Sequence, residues 1–134
     1  MTEMTEAGIS LSHVTPGMIL ETLARVVASK PEGFTYKMRP DPDLNLDDYL
    51  TCLYVWDGKP DCIAGHVLVE LGVPVHVLSP WEGNACDCVS ASMGMPMTSA
   101  DVLRSAQIAQ DQGHSWGEAL VAAVQYLVSS QRAD

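Results

Sequence analysis

The chain has 134 residues, of which 47% are apolar and 18% charged, so it can build one ordinary domain around a core. Seventeen acidic side chains stand against seven basic ones, which gives a formal net charge of −10 with neutral histidines. A surface this negative repels phosphate backbones and anionic headgroups, so direct binding to nucleic acid or to a membrane surface is disfavoured. A protein partner with a basic surface is favoured instead.

No segment of the sequence is typical of a membrane span or of a secretion signal. The longest strongly apolar stretch, residues 62–78, is interrupted by glycines, histidines, a glutamate and a proline, whereas a span needs about 20 mostly apolar residues. Residues 1–12 contain two glutamates and lack the cationic region of a signal peptide. We therefore expect a cytoplasmic protein whose four cysteines are reduced thiols.

The expected architecture is a mostly helical α+β domain with a short two-stranded β element and a central apolar helix near the C-terminus. Residues 15–134 should form this single globular domain, and residues 1–14 a loosely ordered tail. Thr15 followed by Pro16 is typical of a helix start, because the hydroxyl can cap the helix and the proline lacks only an N–H that would be unpaired there. Apolar residues at helical spacing then predict a helix over about residues 16–29.

Two short strands are predicted after this helix. Aromatic and β-branched residues place them at 34–38 and 52–56, and we expect the two to pair. Residues 40–48 between them should form a solvated acidic loop, which is also a possible docking surface for a cationic partner. The pair Asp57-Gly58 is a turn signal that ends the second strand.

The segment 62–78 admits two interpretations. The preferred one is a helix over about 62–71, with Asp61 as its cap and a glycine and a proline closing it. The alternative is a buried hairpin, because the β-branched runs 66–69 and 75–78 would also suit paired strands.

Three more helices are predicted in the C-terminal part of the chain. A capping-box pattern with proline at the first helical position predicts a helix over about 79–91. Thr98 or Ser99 is expected to cap the next helix, which should end near Gly113. A second capping box predicts the last helix over about 116–129.

The last predicted helix is apolar over most of its circumference. Only Glu118, Gln125 and Ser129 form a narrow polar strip. A helix of this kind lies in the middle of a core or is held in an interface. If it is exposed in a single chain, we expect self-association through it, so a homodimer is possible.

One hypothesis for chemistry is a zinc site. In a helix over 62–71, Cys62 and His66 would lie one turn apart on the same face, and Cys86 or Cys88 would add a further ligand. Cys86 and Cys88 themselves would point about 200° apart on a regular helix, so both could not reach one ion. The simpler interpretation is that these are buried apolar thiols, which leaves no metal site and no cofactor.

A second hypothesis makes Cys62 the nucleophile of a cysteine hydrolase. At a helix start its sulfur would lie near the positive end of the helix dipole, which lowers a thiol pKa. Residues 61–65, Asp-Cys-Ile-Ala-Gly, resemble the Asp-Cys-Ser-Gly start of the NlpC/P60 cysteine peptidases, in which later strands carry a histidine base. Here the serine is missing and neither His76 nor His114 lies in such a strand, so the catalytic residues stay unknown.

Two further regions carry a resemblance. Residues 57–68 with 71–74, and residues 107–111 with 116–119, are similar to small uncharacterised proteins of actinobacteria and their bacteriophages. The resemblance covers about half of the chain and implies a genomic setting without an activity. Small acidic proteins of phages often act by binding and redirecting a host protein.

The function predicted from these patterns is protein–protein interaction by a small acidic accessory or regulatory protein. Electrostatic attraction would steer a basic partner, and an exposed apolar anchor would supply affinity. Ile108 lies off the main apolar stripe of its helix, and the methionine-rich connector 93–97 is adaptable, so these are the predicted anchors. The zinc-binding domain and the cysteine hydrolase are the alternatives.

Overall fold

The computed structural model describes residues 9–40 and 50–131. Within those ranges the chain forms six α-helices and two short antiparallel strand pairs, which confirms a mostly helical α+β domain. The helices are α1 Pro16–Ala28, α2 Ile63–Glu70, α3 Val75–Leu78, α4 Cys86–Ser92, α5 Met97–Asp111 and α6 Trp116–Gln131. The strands are β1 Arg39–Pro40, β2 Leu50–Thr51, β3 Val55–Trp56 and β4 Lys59–Pro60. The predicted acidic loop lies, apart from its first residue, outside the described residues.

Helix α1 begins where the sequence predicts. Thr15 Oγ1 accepts the backbone N–H of Met18 at 3.1 Å, and Pro16 occupies the first helical position. The segment before it is not loose, because Leu11 and Val14 are both fully buried in the core. The predicted tail therefore contributes to the domain at these two positions.

The strands differ from those predicted. β1 pairs with β2, and β3 pairs with β4. The strand predicted over 34–38 is wrong, because these residues form no ladder. The strand predicted over 52–56 is confirmed only at its end, where Val55 and Trp56 form β3, and its predicted pairing with 34–38 is wrong because β3 pairs with β4. The turn at Asp57-Gly58 is confirmed: it joins β3 to β4, and both residues have the positive φ angles, 56° and 74°, of a tight hairpin turn.

The side chain of Glu82 bonds to the backbone just before β3, in the region where a longer strand was predicted. Its two carboxylate oxygens accept the backbone N–H groups of Tyr54 and Val55 at 2.8 and 3.0 Å, where a strand pair would need a neighbouring backbone. The predicted capping box that used this glutamate is therefore wrong. The helix predicted over 79–91 is divided into a 3-10 turn, Ser79–Trp81, and α4.

The segment 62–78 is helical, so the preferred interpretation is confirmed and the hairpin is wrong. It forms α2 and the short α3. The predicted cap is one residue early: Cys62 is the N-cap, and its Sγ accepts the backbone N–H of Gly65 at 3.4 Å. Asp61 is engaged elsewhere, with both carboxylate oxygens bonded to Arg39.

Helix α5 starts earlier than predicted, and α6 starts as predicted. Pro96 precedes the first residue of α5, and the Ser99 hydroxyl donates to the carbonyl of Val14 at 2.7 Å instead of capping the helix. Before α6, Ser115 and Glu118 form the predicted capping box, with reciprocal bonds of 2.9 and 3.1 Å.

Helix α6 is not central. Only Trp116, Ala119 and Ala123 of α6 are buried, all on one face that packs towards α5 and α1. The largest shares of the core cluster come from α5 and α2, and α1 and α6 contribute three residues each. Among the described residues no helix is long and apolar enough to cross a membrane.

Candidate functional site

The outer face of α6 carries apolar side chains that no other part of the described chain covers. Val121, Val124 and Val128 are each more than two-fifths exposed. They follow one another at intervals of three and four residues, so they share one side of the helix. That side lies opposite the buried alanines. Helix α6 is therefore apolar on most sides, as the sequence predicts, but the side that carries these three valines faces away from the core.

A groove of about 390 Å³ runs between α5 and α6 beside this face. Ile108 of α5 and Val121 of α6 line it, and they are 42% and 53% exposed. A second depression of about 300 Å³ continues from Ile108 to Tyr126. We call the two together the α5–α6 groove, defined by Ile108, Glu118, Val121 and Tyr126.

One of the two predicted anchors lies in this groove. Ile108 is exposed, as its position off the main stripe of its helix predicts. The connector is not an adaptable surface, because Met93 and Met95 are buried in the core. Met97 is 66% exposed, but it lies at the start of α5 and does not line the groove.

The charges around the groove are mostly negative. Asp101 lies within 3.4 Å of the Tyr126 hydroxyl, and Glu118 lies within 3.4 Å of His114. The bond from the Ser115 N–H, followed by His114, lowers the pKa of Glu118, so this exposed carboxylate stays ionised. Arg104 is the one Lys or Arg among the described residues that line the groove, and it pairs with Asp87 at 3.3 Å. The groove therefore combines apolar side chains with an acidic rim.

The zinc hypothesis has no support in the geometry. Across residues 9–40 and 50–131, no three His, Cys, Asp or Glu side chains are grouped to hold a metal ion. His66 Nδ1 lies 3.0 Å from the carbonyl oxygen of Cys62, and Cys62 Sγ accepts an N–H of its own helix. Cys86 is buried and Cys88 is exposed, so these two side chains point apart.

The hydrolase hypothesis fails on the electrostatics of its nucleophile. Cys62 is fully buried, and this desolvation raises its pKa, the opposite of what the helix-dipole argument predicts. A buried neutral thiol is a poor nucleophile. The histidine nearest in sequence, His66, bonds through Nδ1 to the Cys62 backbone oxygen.

A polar network around Cys52 was not predicted from the sequence. Gln107 Nε2 donates to Cys52 Sγ at 2.8 Å, and both Gln107 and Gln110 donate to Asp111 Oδ1 at 3.0 and 2.9 Å. The oxygens of the same two glutamines accept backbone N–H groups of α2. Two glutamines at i and i+3 are the only sequence signal, and this spacing is common on exposed helices. The network holds α2 against α5.

Comparison of the chain with family models, with curated proteins and with solved structures finds no match. The fold and the site therefore rest on the residues described above. The resemblance to proteins of actinobacteria and their phages stays a prediction.

Proposed function

We propose that this protein is a small acidic accessory protein of the cytoplasm, which acts by binding another protein through the α5–α6 groove. The observation that carries the proposal is the exposure of Ile108 and Val121 on facing sides of one groove. Exposed large apolar side chains that form a continuous patch are typical of interaction surfaces. Scattered single ones would need no explanation.

The partner that fits this groove is an amphipathic helix flanked by Lys or Arg. A groove between two helices suits the apolar side chains of such a helix at intervals of three and four residues. The acidic rim formed by Asp101 and Glu118 complements a cationic flank. The net charge of −10 would attract that partner over a longer range.

A second copy of the chain fits the groove less well. In a symmetric dimer the same surface meets itself, so the acidic rims of two chains would come together. Each chain also carries the net charge of −10, which opposes association. We therefore propose a different protein as the occupant. The resemblance to proteins of actinobacteria and phages supports a host protein as that partner.

The test compares two variants for binding. The double variant I108S/V121S removes both apolar anchors, and M97S removes a still more exposed apolar side chain outside the groove. Proteins captured from an actinobacterial lysate are identified with each immobilised variant, and the strongest is purified and titrated at low and high salt. We expect the double variant to lose that binding, M97S to keep it, and high salt to weaken it.

Two results would overturn the proposal. One is a capture pattern that is the same for the wild type and the double variant. The other is a wild-type homodimer, seen by sedimentation, that I108S/V121S separates into monomers. In that case the occupant of the groove is the chain itself.

A further inference from the structure

A second cavity, of about 380 Å³, lies on another part of the surface, between the end of α1, the segment before β1 and the start of α2. Lys30, Lys37 and Arg39 line it, together with Asp61 and His66. We call it the basic cavity. Its volume falls within the roughly 300–1,000 Å³ of small-molecule sites. None of these residues lines the α5–α6 groove.

This cavity holds a larger share of the chain's basic residues than an even distribution over the surface would place there. The whole chain has seven Lys and Arg, and three of them line this one cavity. Like charges held together raise the free energy of the fold unless a counter-charge is present. In a chain of net charge −10, such a cluster of cations would stabilise a bound anionic ligand.

The cavity's own acid neutralises only one of the three cations. Arg39 Nε and Nη2 donate to the two carboxylate oxygens of Asp61 at 2.8 and 2.9 Å, and the Tyr36 hydroxyl also donates to this carboxylate. This bidentate pair is geometrically fixed. For Lys30 and Lys37, no carboxylate of the described residues lies within ion-pair distance. Among the described residues, these two ammonium groups therefore have no carboxylate counter-charge.

An apolar wall stands beside the Lys30 ammonium group. The Lys30 ammonium lies 5.0 Å from the centre of the Phe34 ring, which also lines the cavity. Phe34 packs edge-on against Trp116 at 4.8 Å, and its carbonyl accepts the Trp116 backbone N–H at 2.8 Å. The ring is thus held in place by the start of α6 before any ligand arrives. A preorganised wall lowers the entropy cost of binding.

His66 adds a hydrogen-bond acceptor to the same cavity. A carbonyl oxygen can only accept, so the contact with Cys62 O puts the proton on Nδ1 and the lone pair on Nε2. Burial, and then the nearby Lys30, lowers the pKa of His66, so the ring is neutral at neutral pH. The ring also packs edge-on against Trp116 at 5.1 Å, which fixes its orientation.

The indole of Trp116, which packs behind the cavity wall, has an unpaired donor within the described part of the chain. Its Nε1–H is buried and has no acceptor among the described residues. A buried donor without an acceptor costs about 1–3 kcal/mol, so such groups are uncommon. This ring is also the one that touches both Phe34 and His66 of the cavity wall.

From this arrangement we infer that the basic cavity binds a small organic anion. Lys30 and Lys37 neutralise its carboxylate or phosphate, and Phe34 contacts its planar apolar part. The Arg39–Asp61 pair forms a fixed side of the site. This binding is separate from the protein interaction at the α5–α6 groove.

The test titrates the full chain with two anions and their neutral analogues. Adenosine monophosphate and benzoate are the phosphate and carboxylate probes, and adenosine and benzamide are the neutral ones. Binding is followed by calorimetry and by the ring resonances of His66. We expect saturable binding of one or both anions, no saturation with the neutral analogues, and weaker binding at high salt. The anion that binds more tightly identifies the charged group of the ligand.

Matched charge variants locate the binding. Lys30→Gln and Lys37→Gln should each weaken it about tenfold or more, as expected for the loss of a charge-assisted contact. Arg25→Gln removes the same charge from an exposed position on α1 outside the cavity and should leave binding unchanged. Failure of both anions to saturate would overturn the inference. Wild-type affinity in both lysine variants, or equal binding of the neutral analogues, would overturn it as well.

Discussion

The side-chain oxygen of Gln110 accepts the backbone N–H of Ile63 at 2.8 Å, and both groups are buried. One turn earlier on α5, Gln107 does the same for Ala64 at 3.0 Å. These are the first two N–H groups of α2, which have no acceptor within their own helix. Since Cys62 accepts the N–H of Gly65, α5 and the N-cap together satisfy the buried start of α2.

The first prediction concerns this cap. Gln110→Ala leaves the Ile63 N–H buried without an acceptor, so we expect the free energy of unfolding to fall by about 1–3 kcal/mol. Gln125→Ala, on the exposed side of α6, is the control and should change it by less than about 0.5 kcal/mol. Chemical denaturation of both variants measures the difference. Equal midpoints for Gln110→Ala and wild type would show that the bond contributes nothing.

The second prediction uses two helical glycines in opposite surroundings. A Cβ at Gly65 would overlap the backbone oxygen of Tyr54, which cannot turn aside as the end of a flexible side chain can. A Cβ at Gly17 meets only the Thr15 hydroxyl at 3.8 Å. We expect Gly65→Ala to lower the thermal midpoint, with a cost of about 1–3 kcal/mol from overpacking.

Gly17→Ala is the matched control for the same substitution. It should raise stability by up to about 1 kcal/mol, because alanine loses less backbone entropy in a helix. A stabilised Gly65→Ala variant would contradict the close approach of α2 to the chain at Tyr54.

The third prediction is a pH dependence from His66. Burial lowers its pKa from the ordinary value of 6.5, so protonation is disfavoured in the folded state. Well above pH 6.5 the ring is neutral in both states and contributes nothing to the difference. As the pH falls through this value, the unfolded chain takes up the proton first, and stability is lost until the folded pKa is passed.

The measurement compares wild type with His66→Gln across this range. Unfolding free energies at a series of pH values should fall less steeply towards acid in the variant than in wild type, because the variant lacks the titrating group. Parallel curves would show that His66 is not coupled to folding.

The fourth prediction ranks the cysteines by reactivity. Cys88 is exposed, whereas Cys62 and Cys86 are buried and their desolvation raises both pKa values. A thiol-specific reagent should modify Cys88 first in the native protein, and Cys62 and Cys86 only after denaturation. Mass spectrometry of the modified peptides identifies the order. A fast reaction of Cys62 or Cys86 in the native Cys88→Ser variant would contradict this assignment.

The features that the sequence predicts correctly are those made within a few residues. The Thr15 cap, the Asp57-Gly58 turn and the box of Ser115 with Glu118 each join groups no more than three residues apart. Their chemistry is therefore visible in a short window of sequence.

The features that were missed join distant segments. Glu82 bonds to residues 27 and 28 positions away, and Gln107 and Gln110 reach 43 and 47 positions to α2. No local pattern distinguishes such side chains from solvent-exposed ones of the same type. The basic cavity was missed for the same reason, since Lys30, Lys37 and His66 belong to three separate segments.

The apolar composition of α6 predicts that much of its surface is covered. It does not show whether the core or a partner covers each side. Ile108 was identified because it departs from the stripe of its own helix. Val121 and Val128 carry no such signal, because the sequence of α6 is apolar on both sides. Only the position of α5 and α1 decides which side faces the core.

Every buried residue of α6 lies in its first half, ending at Ala123. Beyond that point only the half-buried Leu127 packs against the core cluster. The last two turns should therefore open in local fluctuations that leave the rest of the molecule intact, and their amide hydrogens should exchange with solvent before those of the first turns. The N-terminal half of α6 is thus fixed by the core, whereas the C-terminal half, which carries Val128, can unfold locally.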